Sequence, residues 1–345
     1  MCIEDYWNKW SDADKFSGVF SISNDQGVIF EKCQGFRNKS ENLTNNIDTA
    51  FGIASGTKLF TGLSICKLID EKKLSLGDKL WDILPYDLGQ IDKRVTIFHL
   101  LTHTSGVGDY LDEEAEDSDE QFQALNEKYP VYLYEKLEYY LQMITSLPPK
   151  FEPGTRYGYS NAGFILLGLV VEGISKMSYQ DFVYNYIILP SELEHTGFYR
   201  TDALPTNTAH GYIYEDKNDE WRTNIFSLPI IGGSDGGIYT CAKDIRKLWQ
   251  AIFSNVIFSA EMLNEFLKQQ SVINETRSYG LGVYRGVIDD KLFYYAVGGD
   301  AGVCFFTAFL PTKKIVITMF DNTEVDIYPL MDDVVKMLQD LHCLC

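Results

Sequence analysis

The chain has 345 residues, 45% of them hydrophobic, and a formal net charge of -19. That length exceeds one compact core, so one large domain or two lobes is expected. The charge argues against long-range attraction to nucleic acid or an anionic membrane, and no apolar run is long enough to span a bilayer, Phe164 to Val171 coming nearest.

Residues Met1 to Asp5 are polar and show no leader-like pattern. Seven cysteines lie scattered at Cys2, Cys33, Cys66, Cys241, Cys304, Cys343 and Cys345, without metal or disulfide-framework spacing. A cytoplasmic protein with reduced thiols is expected. Residues 16–37 read as a hairpin, with Gly18 to Ser23 and Val28 to Cys33 as strands and Asn24-Asp25-Gln26-Gly27 as the turn. A loop leads to Phe51-Gly52-Ile53-Ala54-Ser55-Gly56-Thr57-Lys58, which ends in Ser-x-x-Lys and runs into the apolar segment Leu59 to Ile69.

With Ser55 at a helix start, Lys58 lies about one turn further on, on the same face. A serine hydroxyl is a weak nucleophile without a neighbouring base. A free lysine, with a pKa of roughly 10.4, is protonated at neutral pH, but burial disfavours its charge and makes it a base. Ser55 and Lys58 together are therefore a candidate nucleophile and base.

This helix is expected to end near Glu71-Lys72-Lys73, with an irregular connection from Leu74 to Pro85. Residues 95–107 suggest a short buried helix terminated by Gly106, on which His99 and His103 are structural. Seven acidic residues in nine at 112–120 read as a solvated loop. The same loop could screen a site against anionic substrates or recruit a basic partner. A helix is predicted over Val131 to Ser146. After the Phe151–Gly154 turn comes Tyr157-Gly158-Tyr159-Ser160-Asn161, then an apolar helix, Ala162 to Ile174, and another from Tyr179 to Ile188. A Gly-rich stretch at 229–244 precedes a helix from Ile245. Strands follow at Gly280 to Val287, Leu292 to Val297, Val303 to Phe309 and Ile315 to Phe320, then an amphipathic helix from Ile327 to Leu341.

Strands at both ends with helices between predict an α+β fold. An antiparallel β-sheet of N- and C-terminal strands is flanked by helices and carries an inserted, mainly helical lobe. Residues 1–345 would form a single domain with two lobes, an α/β lobe of about 1–58 and 230–345 and a helical lobe of about 59–229, with a cleft between them.

Taken together, these segments resemble the penicillin-recognising serine hydrolases, specifically the class C β-lactamase, penicillin-binding protein (D,D-peptidase) and esterase group. The pieces stand in that family's order: the Ser55 stretch, Thr96 to Gly106, Phe151-Glu152-Pro153-Gly154, Tyr159-Ser160-Asn161-Ala162-Gly163, and Gly236-Gly237-Ile238-Tyr239-Thr240 before Asp244. The likeness spans residues 16 to 341. It implies the acylated nucleophile at Ser55 and its base partner at Lys58. It also implies that Tyr159 shares proton transfer, taking the hydroxyl proton and later activating water, and that Asn161 bonds Lys58 or the substrate amide. A phenol beside an ammonium favours the phenolate, and the two groups would titrate as a pair.

The family's Lys-Thr-Gly or His-x-Gly strand motif is replaced by Ala296-Val297-Gly298, followed by Gly299. Gly298 keeps a flat wall for substrate, and Gly299 would give an oxyanion-hole N–H beside that of Ser55. Ala296 and Val297 lack the groups that hold a substrate carboxylate, although Arg285 or Lys291 offers a substitute cation. The implied function is therefore acyl-enzyme hydrolysis of an ester or small amide. The alternatives are a β-lactamase or D,D-carboxypeptidase/D-amino-acid peptidase, and a catalytically weak penicillin-binding or sensor module. No metal or cofactor is expected, the partner is a small molecule, and the oligomeric state is open. Gly232-Gly233-Ser234-Asp235-Gly236 also matches a nucleophile elbow, whose only later histidine is His342.

Overall fold

The computed structural model of the protein describes residues 3–10, 12–111, 113, 124, 127–215 and 219–340. Strands β1 (Gly18–Asn24) and β2 (Gly27–Gln34) form the expected hairpin. Short strands β3 (Phe36–Asn38), β4 (Leu43–Thr44) and β5 (Phe51–Gly52) lie on the way to Ser55, and β6 (Tyr212–Glu215), β7 (Glu220–Thr223) and β8 (Tyr239–Thr240) come later. The C-terminal part supplies β9 (Ser271–Val272), β10 (Arg277–Tyr279), β11 (Tyr284–Ile288), β12 (Lys291–Asp300), β13 (Val303–Leu310) and β14 (Ile315–Asp321). Eight of these form one sheet in the order β2-β1-β14-β13-β12-β11-β10-β9, antiparallel throughout. The N-terminal hairpin thus pairs with the C-terminal strands, the α+β arrangement expected from the sequence.

The helices are α1 (Ile3–Lys9), α2 (Thr57–Asp70), α3 (Leu80–Ile83), α4 (Ile97–Leu101), α5 (Leu141–Ile144), α6 (Asn161–Ser175), α7 (Tyr179–Val183), α8 (Ala242–Phe253), α9 (Ala260–Leu267) and α10 (Tyr328–Asp340). Central strands β13 and β14 are buried along their whole length because both faces of the sheet are covered. Side chains alternate across it with period two. Phe305 and Phe309 join one core with α2, α6 and α8, whereas Phe306 and Leu310 join a second core with α1 and α10. In the first core, Phe51 stacks on Phe320 at 5.1 Å and Phe320 meets Phe305 at 5.2 Å. Burying each such ring contributes about 1.5–3 kcal/mol, and this stack seats the strand that leads into Ser55 on the sheet. Helix α6 is apolar all round and is the core helix of the structure. Among the described residues, no single helix is long and apolar enough to cross a membrane.

Several expectations need correction. The helix predicted over Val131 to Ser146 is broken into 3-10 turns at Val131–Leu133 and Leu137–Tyr140 before α5. Its buried residues Val131, Tyr134, Leu137, Tyr140 and Met143 repeat every third position. That period suits a 3-10 turn and drifts off one face of an α-helix. Helix α4 ends at Leu101, not at Gly106: Thr102 caps it, its Oγ1 donating to the Phe98 carbonyl at 2.8 Å, and His103 turns to a left-handed φ of 55° that the helix cannot continue through. Leu80 to Pro85 contains the one-turn α3 rather than only irregular chain. The strand expected from Gly280 starts at Tyr284, since Gly280 to Val283 form a turn closed at 2.8 Å. The closing helix runs from Tyr328 to Asp340. The acidic run 112–120, apart from Glu113, and the terminal residues 341–345, including His342, lie outside the described residues.

Candidate active site

Ser55 sits in a 3-10 turn, Ala54–Gly56, that leads directly into α2. The turn is tied to β8's approach: Ile53 N donates to the Ile238 carbonyl at 3.0 Å, and Thr57 Oγ1 donates to the Ala54 carbonyl at 2.7 Å while accepting from Ile238 N at 3.1 Å. Ala54 takes a left-handed φ of 43°, a strained conformation of the kind that clusters at functional sites.

One turn into the chain from Ser55, Lys58 is 3% exposed. Its Nζ lies 2.9 Å from Ser55 Oγ, 2.7 Å from Asn161 Oδ1 and 2.7 Å from the Asp235 carbonyl. The last two groups only accept hydrogen bonds. In the neutral amine, whose two N–H groups those acceptors would take up, the lone pair would face Ser55 Oγ. Burial pushes the Lys58 pKa below its ordinary 10.5, opposed by the carboxylates of Asp235, Glu113, Asp109 and Asp300.

Tyr159 and Asn161 flank Ser160, the N-cap of α6, whose side chain accepts from Gly163 N at 3.0 Å. Asp109 completes the cap, accepting from Asn161 N at 2.6 Å and from Ala162 N at 3.2 Å. The Asn161 side chain is held at both ends, Oδ1 by Lys58 and Nδ2 by Glu113 Oε1 at 2.9 Å. The Tyr159 hydroxyl donates to Ser55 Oγ at 2.9 Å. The phenol is pushed well above its ordinary pKa by burial first, with Glu113 adding. This is opposite to the direction expected from a neighbouring ammonium, and in the structure the Tyr159 hydroxyl donates to Ser55 Oγ.

On β12, Gly298 is packed against the Ser55 turn, where a Cβ would stand 2.0 Å from the Ile53 carbonyl oxygen. Tyr328 donates to the Gly298 carbonyl at 3.1 Å, and Gly299 lines the same cavity as Ser55. Ala296 is buried in the core between sheet and α2, and Val297 faces the opposite side. Neither Arg285 nor Lys291 lines the cavity, so neither stands in for the missing cation among the described lining. Ser234 is fully buried, its Oγ without a partner, and does not reach the cavity; the elbow reading fails on this geometry.

The cavity over Ser55 has a volume of about 750 Å³. Carboxylates of Glu113, Asp235, Asp300, Glu324 and Asp326 line it, and no lysine, arginine or histidine does among the described residues. Asp235 is anchored by a short hydrogen bond from the Tyr110 hydroxyl. Asp109, Tyr110 and Tyr328 were not marked by any local pattern, while Glu113 belongs to the acidic run that could screen a site. Asp235 sits just before the Gly236–Thr240 motif, within the Gly-rich stretch.

A family model described as Beta-lactamase matches residues 8–335. Penicillin-binding protein 4* of Bacillus subtilis (strain 168) is 29% identical over 280 residues, covering 78% of this chain and 59% of that protein. The chain therefore spans 59% of that relative's length. The Teichoic acid D-alanine hydrolase of Staphylococcus aureus is 24% identical over 333 residues, 95% of this chain and 77% of that protein. The crystal structure of a penicillin-binding protein from Bacillus halodurans superposes with a TM-score of 0.89 at 37% identity, covering 97% of this chain and 99% of that one.

Proposed function

This chain belongs to the beta-lactamase family, and on that premise we propose that it is a serine acyl-hydrolase working through an acyl-enzyme on Ser55. The observation that carries the reading is Ser55 Oγ held 2.9 Å from both Lys58 Nζ and the Tyr159 hydroxyl at a cavity wall. Neutral Lys58 takes the Ser55 proton as Oγ attacks the acyl carbon. The developing oxyanion is received by the backbone N–H groups of Ser55 and Gly299; loss of one such donor typically costs about 2.7–4 kcal/mol. As the bond to the leaving group breaks, Tyr159 gives that group its proton and is reprotonated by the Lys58 ammonium. Water then attacks the ester carbonyl, passing one proton to Lys58; as the bond to Ser55 breaks, Lys58 returns that proton to Ser55 Oγ, which leaves as the alcohol, and the acid product departs. Asn161 keeps the Lys58 lone pair aimed.

The cavity lining selects among substrates. Five acidic side chains, of which burial raises the pKa of Asp235 and pushes that of Asp300 up to about 7, and an uncharged Ala296 leave no cation in the described lining to hold a substrate carboxylate. Esters or small amides that are neutral or carry an ammonium group suit it best. The name of the Staphylococcus aureus relative, a D-alanine hydrolase, supports an aminoacyl ester. β-Lactams and peptides ending in a free carboxylate come second. Slow turnover of a penicillin-binding kind is the reading that the Ala296 replacement would favour. The described cysteines Cys33, Cys66, Cys241 and Cys304 are free thiols, which supports a reducing, cytoplasmic setting.

The test is steady-state hydrolysis of p-nitrophenyl butyrate, D-alanine p-nitrophenyl ester and a chromogenic cephalosporin by wild type and Ser55→Ala. Multiple turnover on the two esters that vanishes in Ser55→Ala is expected. A burst of one equivalent that then stops would favour the penicillin-binding reading, and ester hydrolysis surviving in Ser55→Ala would refute the nucleophile.

A further inference from the structure

His103 is fully buried and follows α4 with a left-handed φ of 55°, a conformation uncommon for a residue with a Cβ. It grips the segment that carries Tyr159 in three ways. Its backbone carbonyl accepts from Gly158 N at 2.8 Å. Its Nδ1 accepts from Ser160 N at 3.1 Å. Its ring lies 4.6 Å from the Tyr159 ring, tilted by 32°. Phe164 at 4.9 Å and Tyr279 at 4.7 Å enclose the imidazole further. His103 thus meets the Tyr159 segment through its backbone, its Nδ1 and its ring.

We propose that His103 is a positioning residue for the reaction, a neutral imidazole that fixes the Tyr159 hydroxyl on Ser55 Oγ through the Ser160 N–H and the face of its ring. Because Nδ1 accepts a hydrogen bond, the proton of the neutral ring sits on Nε2, which has no hydrogen-bond partner. The titratable groups facing the ring are Lys58 of α2, Tyr157 and Tyr159 of the segment before α6, and Tyr279 of β10. None is a carboxylate that could offset an imidazolium, and whatever positive charge Lys58 carries opposes one. An ordinary core histidine would be buried and bonded too; what separates the two roles is whether the hydroxyl of Tyr159 moves when the imidazole goes. A displacement of about 1 Å at a reacting group can cost about a hundredfold in rate.

This inference rests on the Ser55–Lys58–Tyr159 reading, and Ser55→Ala run in parallel separates the two. Two variants divide the functions of His103: His103→Asn keeps a short acceptor and loses the ring, and His103→Phe keeps a ring and loses the acceptor. In folded protein, each is expected to lower kcat for p-nitrophenyl butyrate by about a hundredfold, to leave KM within about twofold, and to displace the pH profile of kcat. Wild-type kcat and an unshifted profile in either folded variant, with Ser55→Ala inactive, would overturn the proposal and leave the reading intact. Activity in Ser55→Ala would overturn the reading itself. A second measurement does not depend on the variants folding. In wild-type protein with nitrogen-15-labelled histidine, the His103 signals should show the Nε2–H tautomer unchanged from pH 5 to 8. The other tautomer, or a titration in that window, would contradict the proposal.

Discussion

Lys58 is the residue on which the chemistry turns, and its environment makes a directional claim about pH. Its folded pKa lies below the ordinary 10.5, and the reactive form is the neutral amine. Activity is therefore present above the lowered pKa and lost as pH falls through it, so kcat/KM should rise with pH along one limb below pH 10.5. Lys58→Arg stays cationic at any working pH and should lose about 10²–10⁴-fold with no such limb; a pH–rate series on both proteins checks this. Ser55 and Lys58 were legible as a pair because three-residue spacing puts them on one helical face. The state of Tyr159 was not, since the burial and the Glu113 charge that raise its pKa come from the fold. Asp109, Glu113 and Asp235 act across long stretches of chain, and no local pattern marks such a meeting.

Among the elements, β12 and α6 bring their residues to Ser55 by different means. β12 does so by close approach of backbone. In Gly298→Ala the new Cβ would face the Ile53 carbonyl at 2.0 Å, so strand and turn must part. The expected result is destabilisation of about 1–3 kcal/mol in denaturant melts, with kcat falling more than KM. α6 does so through its cap. Burial pushes the Asp109 carboxyl up to about 7 and that of Asp321 up to about 6, against about 3.9 for an unfolded aspartate. Between these values the folded chain holds protons that the unfolded chain has lost, so stability falls as pH rises through the window. Thermal melts from pH 4 to 8 should show that fall, and Asp109→Asn should remove part of it. The long strands β12, β13 and β14 and helices α2 and α6 were legible from unbroken or alternating apolar runs. Strands β9 and β10 and helix α1 were not, being too short to show a period. The break in Val131 to Ser146 was written in its three-residue spacing but read with the commoner helical one.

For the whole molecule, the sheet closes the chain on itself, pairing Gly18 with Asp321; of the acidic side chains on the cavity, burial raises the pKa of Asp235 and pushes that of Asp300 up to about 7, and Glu113, Glu324 and Asp326 stand beside them. A cleft lined by one sign of charge concentrates the opposite sign. An ammonium-bearing ester should therefore have a higher kcat/KM than a carboxylate-bearing ester with the same leaving group, and the ratio should shrink as salt rises toward about 1 M. Equal values at low salt would count against the lining as a selector. The overall α+β architecture was legible because strands flanked a helical middle; of the cavity's acidic lining only the 112–120 run, which supplies Glu113, was legible, because Asp235, Asp300, Glu324 and Asp326 come from distant parts of the chain. The most direct test of the acyl-enzyme is intact-mass spectrometry of protein quenched in acid during turnover of p-nitrophenyl butyrate, followed by peptide mapping. A single butyryl adduct on Ser55 that decays as substrate is consumed is the predicted result. Product formed with no adduct on Ser55, or with the adduct on another residue, would contradict the account.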